Sequence, residues 1–137
     1  MGNKPTIIKI NFESLQDELK NNSLIINTLP LNLQKCLIVG TISAEQEQII
    51  INDKLKNDIN ITIVIYGANS CDDTVIDKYN QLKQLGFKNV FIYSGGLFEW
   101  LLLQDIYGKD NFETIGDEVD LLKYKNAIHN NSLCINT

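Results

Sequence analysis

The residues of this chain with chemical potential gather in one six-residue stretch, Gly67-Ala68-Asn69-Ser70-Cys71-Asp72, followed directly by Asp73. A thiol at the start of a helix is a candidate nucleophile, because the positive end of the helix dipole favours the thiolate. Adjacent carboxylates oppose that effect, and neither His nor Lys stands next to Cys71 in sequence. The backbone amides of such a loop attract small oxyanions. Asp72 and Asp73 instead place the chain's own carboxylates there, where each stabilises a helix start by roughly 0.3 to 1 kcal/mol and repels an incoming anion. Two readings therefore stand side by side. In one, Ser70, Asp72 and Asp73 are helix-capping residues of a binding loop; in the other, Cys71 is a redox-active or persulfide-carrying thiol.

The remaining reactive groups do not assemble into a site by spacing. Cys36 and Cys134 lie far from Cys71 with no CxxC pairing, and the one histidine, His129, sits in a polar stretch beside two asparagines. Zinc-type spacing is missing, so no metal site is expected, nor any cofactor. Cys36 reads as semi-buried packing, Cys134 as an exposed tail thiol and His129 as a solvated residue. The odd cysteine count and the absence of an apolar leader point to a reducing, cytoplasmic setting. The first residues, Met1-Gly2-Asn3-Lys4-Pro5-Thr6, match the short pattern for N-myristoylation at Gly2. One acyl chain without a basic cluster would hold a membrane only weakly.

Composition narrows the partners. The 137 residues carry a net charge of -5, which disfavours nucleic acid and anionic membranes. All twelve cations are lysines, so the guanidinium fork that usually grips planar oxyanions and phosphates is missing. With 44% hydrophobic and 21% charged residues the chain reads as one globular domain, and its apolar runs are too short to span a bilayer. A protein partner is compatible with these features; they leave the oligomeric state open.

The loop needs elements to hold it, and the hydrophobic patterning supplies them. Thr6 to Ile10, Ser23 to Asn27, Cys36 to Ile42, Ile61 to Tyr66 and Asn89 to Tyr93 read as strands, several as continuous apolar runs of the kind a sheet covered on both faces requires. Helices are expected after Asn11, with Phe12, Leu15 and Leu19 on one face, over Glu45 to Lys56 with Ile49, Ile50 and Leu55 inward, and over Asp73 to Leu85 with Val75, Ile76, Tyr79, Leu82 and Leu85 inward. A further helix opens at Leu97 after the Gly95-Gly96 turn and runs to about Gln104. Gly86 closes the Asp73 helix as a left-handed cap, and a last short helix is expected around Asp117 to Tyr124. Alternating strands and helices imply a three-layer α/β domain with a mostly parallel sheet. The ligand loop then lies beyond the carboxyl end of a strand, where open parallel sheets place their sites.

The run Ile63-Val64-Ile65-Tyr66, the six-residue loop, the helix, Leu85-Gly86-Phe87-Lys88-Asn89-Val90, then Gly95-Gly96 and Trp100 resembles the second half of a rhodanese-like domain. Leu24-Ile25-Ile26 is similar to the family strand that precedes an Asp-x-Arg, and Ile38-Val39-Gly40-Thr41-Ile42 to its His-Ile-x-Gly-Ala segment. The match runs from about residue 6 to residue 104. The resemblance implies a five-stranded parallel sheet within a single domain over residues 1–108, with residues 109–137 as a partly docked tail whose end is mobile. In active members the loop begins with a cysteine whose persulfide sits in a cup of backbone amides, and a basic residue often closes the loop. Here Gly67 takes the first position and Asp72 the last; Ile26 and Thr28 stand for the Asp and Arg, and Leu37 for the histidine. The expectation is a domain that has lost sulfurtransferase chemistry and serves as a binding or regulatory module through the loop Gly67 to Asp72. The alternative is an enzyme using Cys71 as a displaced nucleophile.

Overall fold

The computed structural model describes residues 7–125. Gly2, His129, Cys134 and the end of the tail lie outside the described residues. In chain order the elements are β1 (Lys9–Ile10), α1 (Phe12–Leu19), β2 (Leu24–Asn27), a 3-10 turn (Leu31–Leu33), β3 (Leu37–Ile38), α2 (Ala44–Asn57), β4 (Ile63–Tyr66), α3 (Thr74–Leu85), β5 (Val90–Tyr93), α4 (Gly96–Tyr107), β6 (Thr114–Ile115) and a 3-10 turn (Leu121–Tyr124). The order β1-β5-β4-β2 forms a four-stranded, all-parallel sheet.

Side chains alternate across that sheet, so the strands feed two cores. From β4, Val64 and Tyr66 point to one side, where α1, α4 and the segment after α4 contribute Leu15, Leu97, Trp100, Phe112 and Tyr124. Ile63 and Ile65 point to the other, against Ile51 of α2 and Val75, Tyr79 and Leu82 of α3. Every residue of β2 and β4 is buried, which is why both strands are apolar along nearly their whole length rather than alternating with polar residues. Asn11 caps α1 by accepting from Ser14 N–H at 2.9 Å, and Asn22 leaves it at φ 60°, the left-handed exit that asparagine tolerates.

Four strands, not five, make the main sheet. The run from Cys36 to Ile42 contributes one parallel bridge, Ile25 to Thr41, with Ile42 N–H donating to Ile25 O at 2.9 Å. Gly40, at φ +84°, turns the chain between β3 and that bridge. The preceding Leu37–Ile38 pairs instead with β6 in a separate antiparallel ribbon. The divergence is held by the hydroxyl of Tyr66 at the end of β4. It lies 3.1 Å from Ile38 N, from which it accepts, and 2.7 Å from Thr41 Oγ1, which itself donates to Ile38 O at 2.5 Å. Burial raises the Tyr66 pKa well above the ordinary phenol value, so the hydroxyl stays neutral and able both to donate and to accept.

Other differences have simple causes. In α2 the buried residue is Ile51, while Ile49 is 70% exposed; three consecutive isoleucines do not set the phase of a helix, and packing chooses among them. In α3 Leu85 is 45% exposed, because it lies at the last turn beside the Gly86 cap, which has φ +115°. Helix α4 runs three residues past Gln104, to Tyr107. Its apolar surplus divides: Trp100 and Leu101 are buried, whereas Ile106 and Tyr107 are exposed. Phe112 folds back beneath Trp100, the rings meeting edge-on at 5.1 Å, and Trp100 Nε1 donates to Glu113 O at 3.0 Å.

Tyr66→Phe is expected to lower stability by about 1 to 3 kcal/mol, since it leaves the buried Ile38 amide without its acceptor. Urea unfolding of the variant against Val119→Ser, at a 94% exposed position, measures the difference.

Candidate functional site

The loop from Gly67 to Asp72 leaves the carboxyl end of β4 and lies between the starts of two helices. Gly67 is buried, Ala68, Asn69, Cys71 and Asp72 are half-buried, and Ser70 is exposed. Its first two carbonyls face α4: Leu97 N–H donates to Gly67 O at 2.9 Å and Phe98 N–H to Ala68 O at 2.8 Å. These bonds satisfy amides that a helix start leaves open. They bring the backbones so close that a Cβ on Gly96, at φ +71°, would lie 2.7 Å from Asn69 N and 2.9 Å from Gly67 O. Gly96 therefore answers a steric demand of the loop. A Cβ on Gly95 would meet the Glu99 carboxylate, which accepts from Tyr93 Oη at 2.6 Å. Burial, with Glu99 adding to it, raises the Tyr93 pKa so that the phenol remains a donor.

Asp72 faces the other helix. Its Oδ1 accepts from Thr74 N–H at 3.1 Å and from Thr74 Oγ1 at 2.5 Å, capping α3. Its Oδ2 accepts from Ala68 N–H at 2.9 Å, reaching back across the loop. The same oxygen lies 2.5 Å from where a Cβ on Gly67 would stand. A side chain at position 67 would enter space the carboxylate already holds. Asp73, expected to share the capping, precedes α3 in helical backbone conformation and makes no side-chain cap bond.

Other amides of the loop are also used internally. Asn69 Oδ1 accepts from Cys71 N–H at 2.9 Å, Asn69 O accepts from Asp72 N–H at 3.2 Å, and Asn69 Nδ2 donates to Tyr124 O at 2.8 Å. The last contact ties the loop to the end of the segment that follows α4. Burial pushes the Tyr124 phenol up to about 12. The Cys71 sulfur is disulfide-bonded and so is not displayed as a free thiol. Cys36 is a free cysteine with no exposed surface, more deeply placed than its sequence context suggests, and burial raises its thiol pKa. Among the described residues, no group of three His, Cys, Asp or Glu side chains is placed to hold a metal ion.

The positions flanking the loop are apolar or neutral. Ile26 is fully buried in β2, Leu37 is buried in β3, and Thr28 Oγ1 lies 2.7 Å from Thr74 Oγ1. Beside the loop, a pocket of about 110 Å3 is lined by Asn69, Ser70, Asp72, Tyr93, Ser94 and Lys9. Lys9 brings a cation to this rim from β1, whose pairing with β5 sets Ile10 beside Tyr93. Neither Lys9 nor Tyr124 was a site candidate by sequence. Each lies more than fifty positions from the loop, and only sheet order and the returning segment bring them near it.

Asp72→Ala is expected to lower stability by about 1 to 2 kcal/mol through loss of the cap, and Asp73→Ala by less than about 0.5 kcal/mol. Gly96→Ala should cost about 2 kcal/mol or more, because positive φ and a backbone collision coincide. Thermal unfolding of the three variants orders them.

Comparison with known proteins agrees with this geometry. The sequence model of the rhodanese-like domain matches residues 13–103. No curated protein matches the chain in sequence. Among solved structures, the crystal structure of the BH2092 protein from Bacillus halodurans superposes with a TM-score of 0.59 at 19% identity, covering 80% of this chain and 77% of the other. The rhodanese-like domain of the Alr3790 protein from Anabaena, solved by NMR, gives 0.55 at 20% identity over 82% and 81% of the two chains. A full-length protein from Lactobacillus plantarum gives 0.52 at 17% identity over 71% and 83%. Structural likeness at such identities speaks for the fold alone; with a family match over most of the chain, the protein belongs to the rhodanese-like domain family.

Proposed function

We propose that this rhodanese-like domain carries out no sulfur transfer and acts as a binding or regulatory module for a protein partner. The observation that supports the reading most is the occupant of the loop. Where a nucleophile on position 67 would project, Gly67 has no side chain and the Asp72 carboxylate fills the space. Sulfur transfer from thiosulfate needs a thiolate that takes the outer sulfur as a persulfide while sulfite leaves. It also needs positive potential to receive the dianion. This loop offers a carboxylate at that point, and its amides at positions 68, 71 and 72 already donate within the loop. Among the described residues no helix is long and apolar enough to cross a membrane.

The second reading keeps Cys71 as a displaced nucleophile or persulfide carrier, favoured by its place just before α3. A cytoplasmic setting, which we include in the proposal, would keep the sulfur reduced and available. The backbone is against it: Cys71, four positions after Gly67, has its N–H turned to Asn69 Oδ1.

Assay of thiosulfate to cyanide sulfur transfer, with the protein reduced beforehand, separates the two. The expected result is no turnover above the protein-free rate. Turnover that Cys71→Ser abolishes would overturn the reading.

A further inference from the structure

The acidic charge of this chain is not spread evenly along it. Residues 105–120 hold six carboxylates and one lysine, whereas the rest of the chain holds eleven acidic residues and eleven lysines, so the whole net charge of -5 belongs to this stretch. The same region is apolar on its outside. Of the ten large hydrophobic side chains exposed among the described residues, six lie between Leu102 and Leu122, with Val119 the most exposed at 94%. Charge and apolar surface meet in a cleft of about 390 Å3 between α4 and the segment that follows it, where Leu101 and Leu121 lie beside Asp105, Asp117, Glu118 and Val119. The carboxylates there differ in how firmly they are matched. Lys123 holds Glu118 at 2.7 Å, while Lys109 meets Asp117 through two well-exposed side chains, a kind of pair that contributes little in water and exchanges readily. Asp105 is exposed on α4, and among the described residues no salt bridge reaches it.

We propose that this cleft docks a basic amphipathic segment of a protein partner. Its lysine or arginine side chains meet Asp105 and Asp117, and its aliphatic side chains cover Val119 and Leu121. Charge complementarity selects this occupant, because an incoming cation finds an unmatched carboxylate beside apolar surface that gains from leaving water. Nucleic acid and anionic membranes are repelled by the same charge. Residues 126–137 of the chain itself contain no lysine to offer those carboxylates. The inference rests on reading the domain as a binding module for a protein partner and names that partner's chemistry; the Gly67 to Asp72 loop has no part in it.

The probe is a synthetic amphipathic peptide of lysine and leucine, titrated into the 15N-labelled full chain by NMR, with a glutamate and leucine peptide as its counterpart. The lysine peptide is expected to shift the amides of residues 101–122 and to weaken at high salt, and the glutamate peptide to leave them unmoved. Asp105→Lys should weaken binding at least about tenfold and Val119→Ser about threefold, while Asp53→Lys, the same charge change on α2 across the sheet, should weaken it less than about twofold. Both groove substitutions are at exposed positions; should Asp105→Lys misfold, Asp105→Asn takes its place with the same expected direction. No binding, shifts confined to other residues, or equal weakening by Asp105→Lys and Asp53→Lys would overturn the proposal. So would a dimer of the free protein that Asp105→Lys dissociates, which assigns the cleft to a second copy, or nuclear Overhauser contacts between Val119 and residues 126–137, which assign it to the chain's own tail. Sulfur transfer by the wild type would overturn the non-catalytic reading and leave the cleft standing; a silent enzyme assay with no peptide binding at the cleft would do the reverse.

Discussion

The turn at the end of β4 has to satisfy two helix starts at once, and most of the site follows from that demand. The carbonyls of Gly67 and Ala68 take the first amides of α4, while the side chain of Asp72 takes the first amide of α3 and reaches back to Ala68. Six residues can do this only if the chain passes very close to α4, which requires glycine at position 96, and only if position 67 leaves room for the carboxylate. Gly67, Asp72 and Gly96 therefore form one steric unit. Changing any of them changes what the other two can hold.

The scaffold itself does not depend on this arrangement. The apolar strands, the Gly86 exit from α3 and the tryptophan of α4 are held by burial, which does not depend on what the loop binds. Without the Asp72 carboxylate the Ala68 and Thr74 amides would be open donors needing another acceptor. With Asp72 inside, the bonds close within the chain. The loop then contributes to stability directly, and Asn69 adds a link from the loop to the carbonyl of Tyr124.

The second structural decision is the departure of the Cys36 to Ile42 run from the sheet. Residues there are as apolar as in any strand, yet β3 pairs with β6 and leaves one bridge behind. Tyr66 makes this possible by placing a neutral hydroxyl where sheet hydrogen bonds stop, so the amide of Ile38 is not left bare in the core. The segment after α4 is thereby built into the domain: β6 pairs with β3, Phe112 lies under Trp100, and Tyr124 is buried beside the loop.

Much of this was legible in the residues themselves. Continuous apolar runs at Ile25 and Val64 announced strands buried on both faces, the Gly86 stop and Asn22 exit followed from left-handed backbone preferences, and the place of Gly67 just past β4 needed only the strand's end to be located. These features are local, because each depends on the side chain and backbone of a few neighbouring residues. Strand count, the phase of the Ile49-Ile50-Ile51 face, the burial of Cys36 and the approach of Lys9 and Tyr124 to the loop depended on contacts between residues far apart in the chain. Sequence alone also marked Asp72 as a helix cap, since a carboxylate before a helix has that role almost anywhere. Only the tertiary structure decided that the same carboxylate lies over Gly67 and takes the Ala68 amide, because that depends on where α4 forces the loop to run.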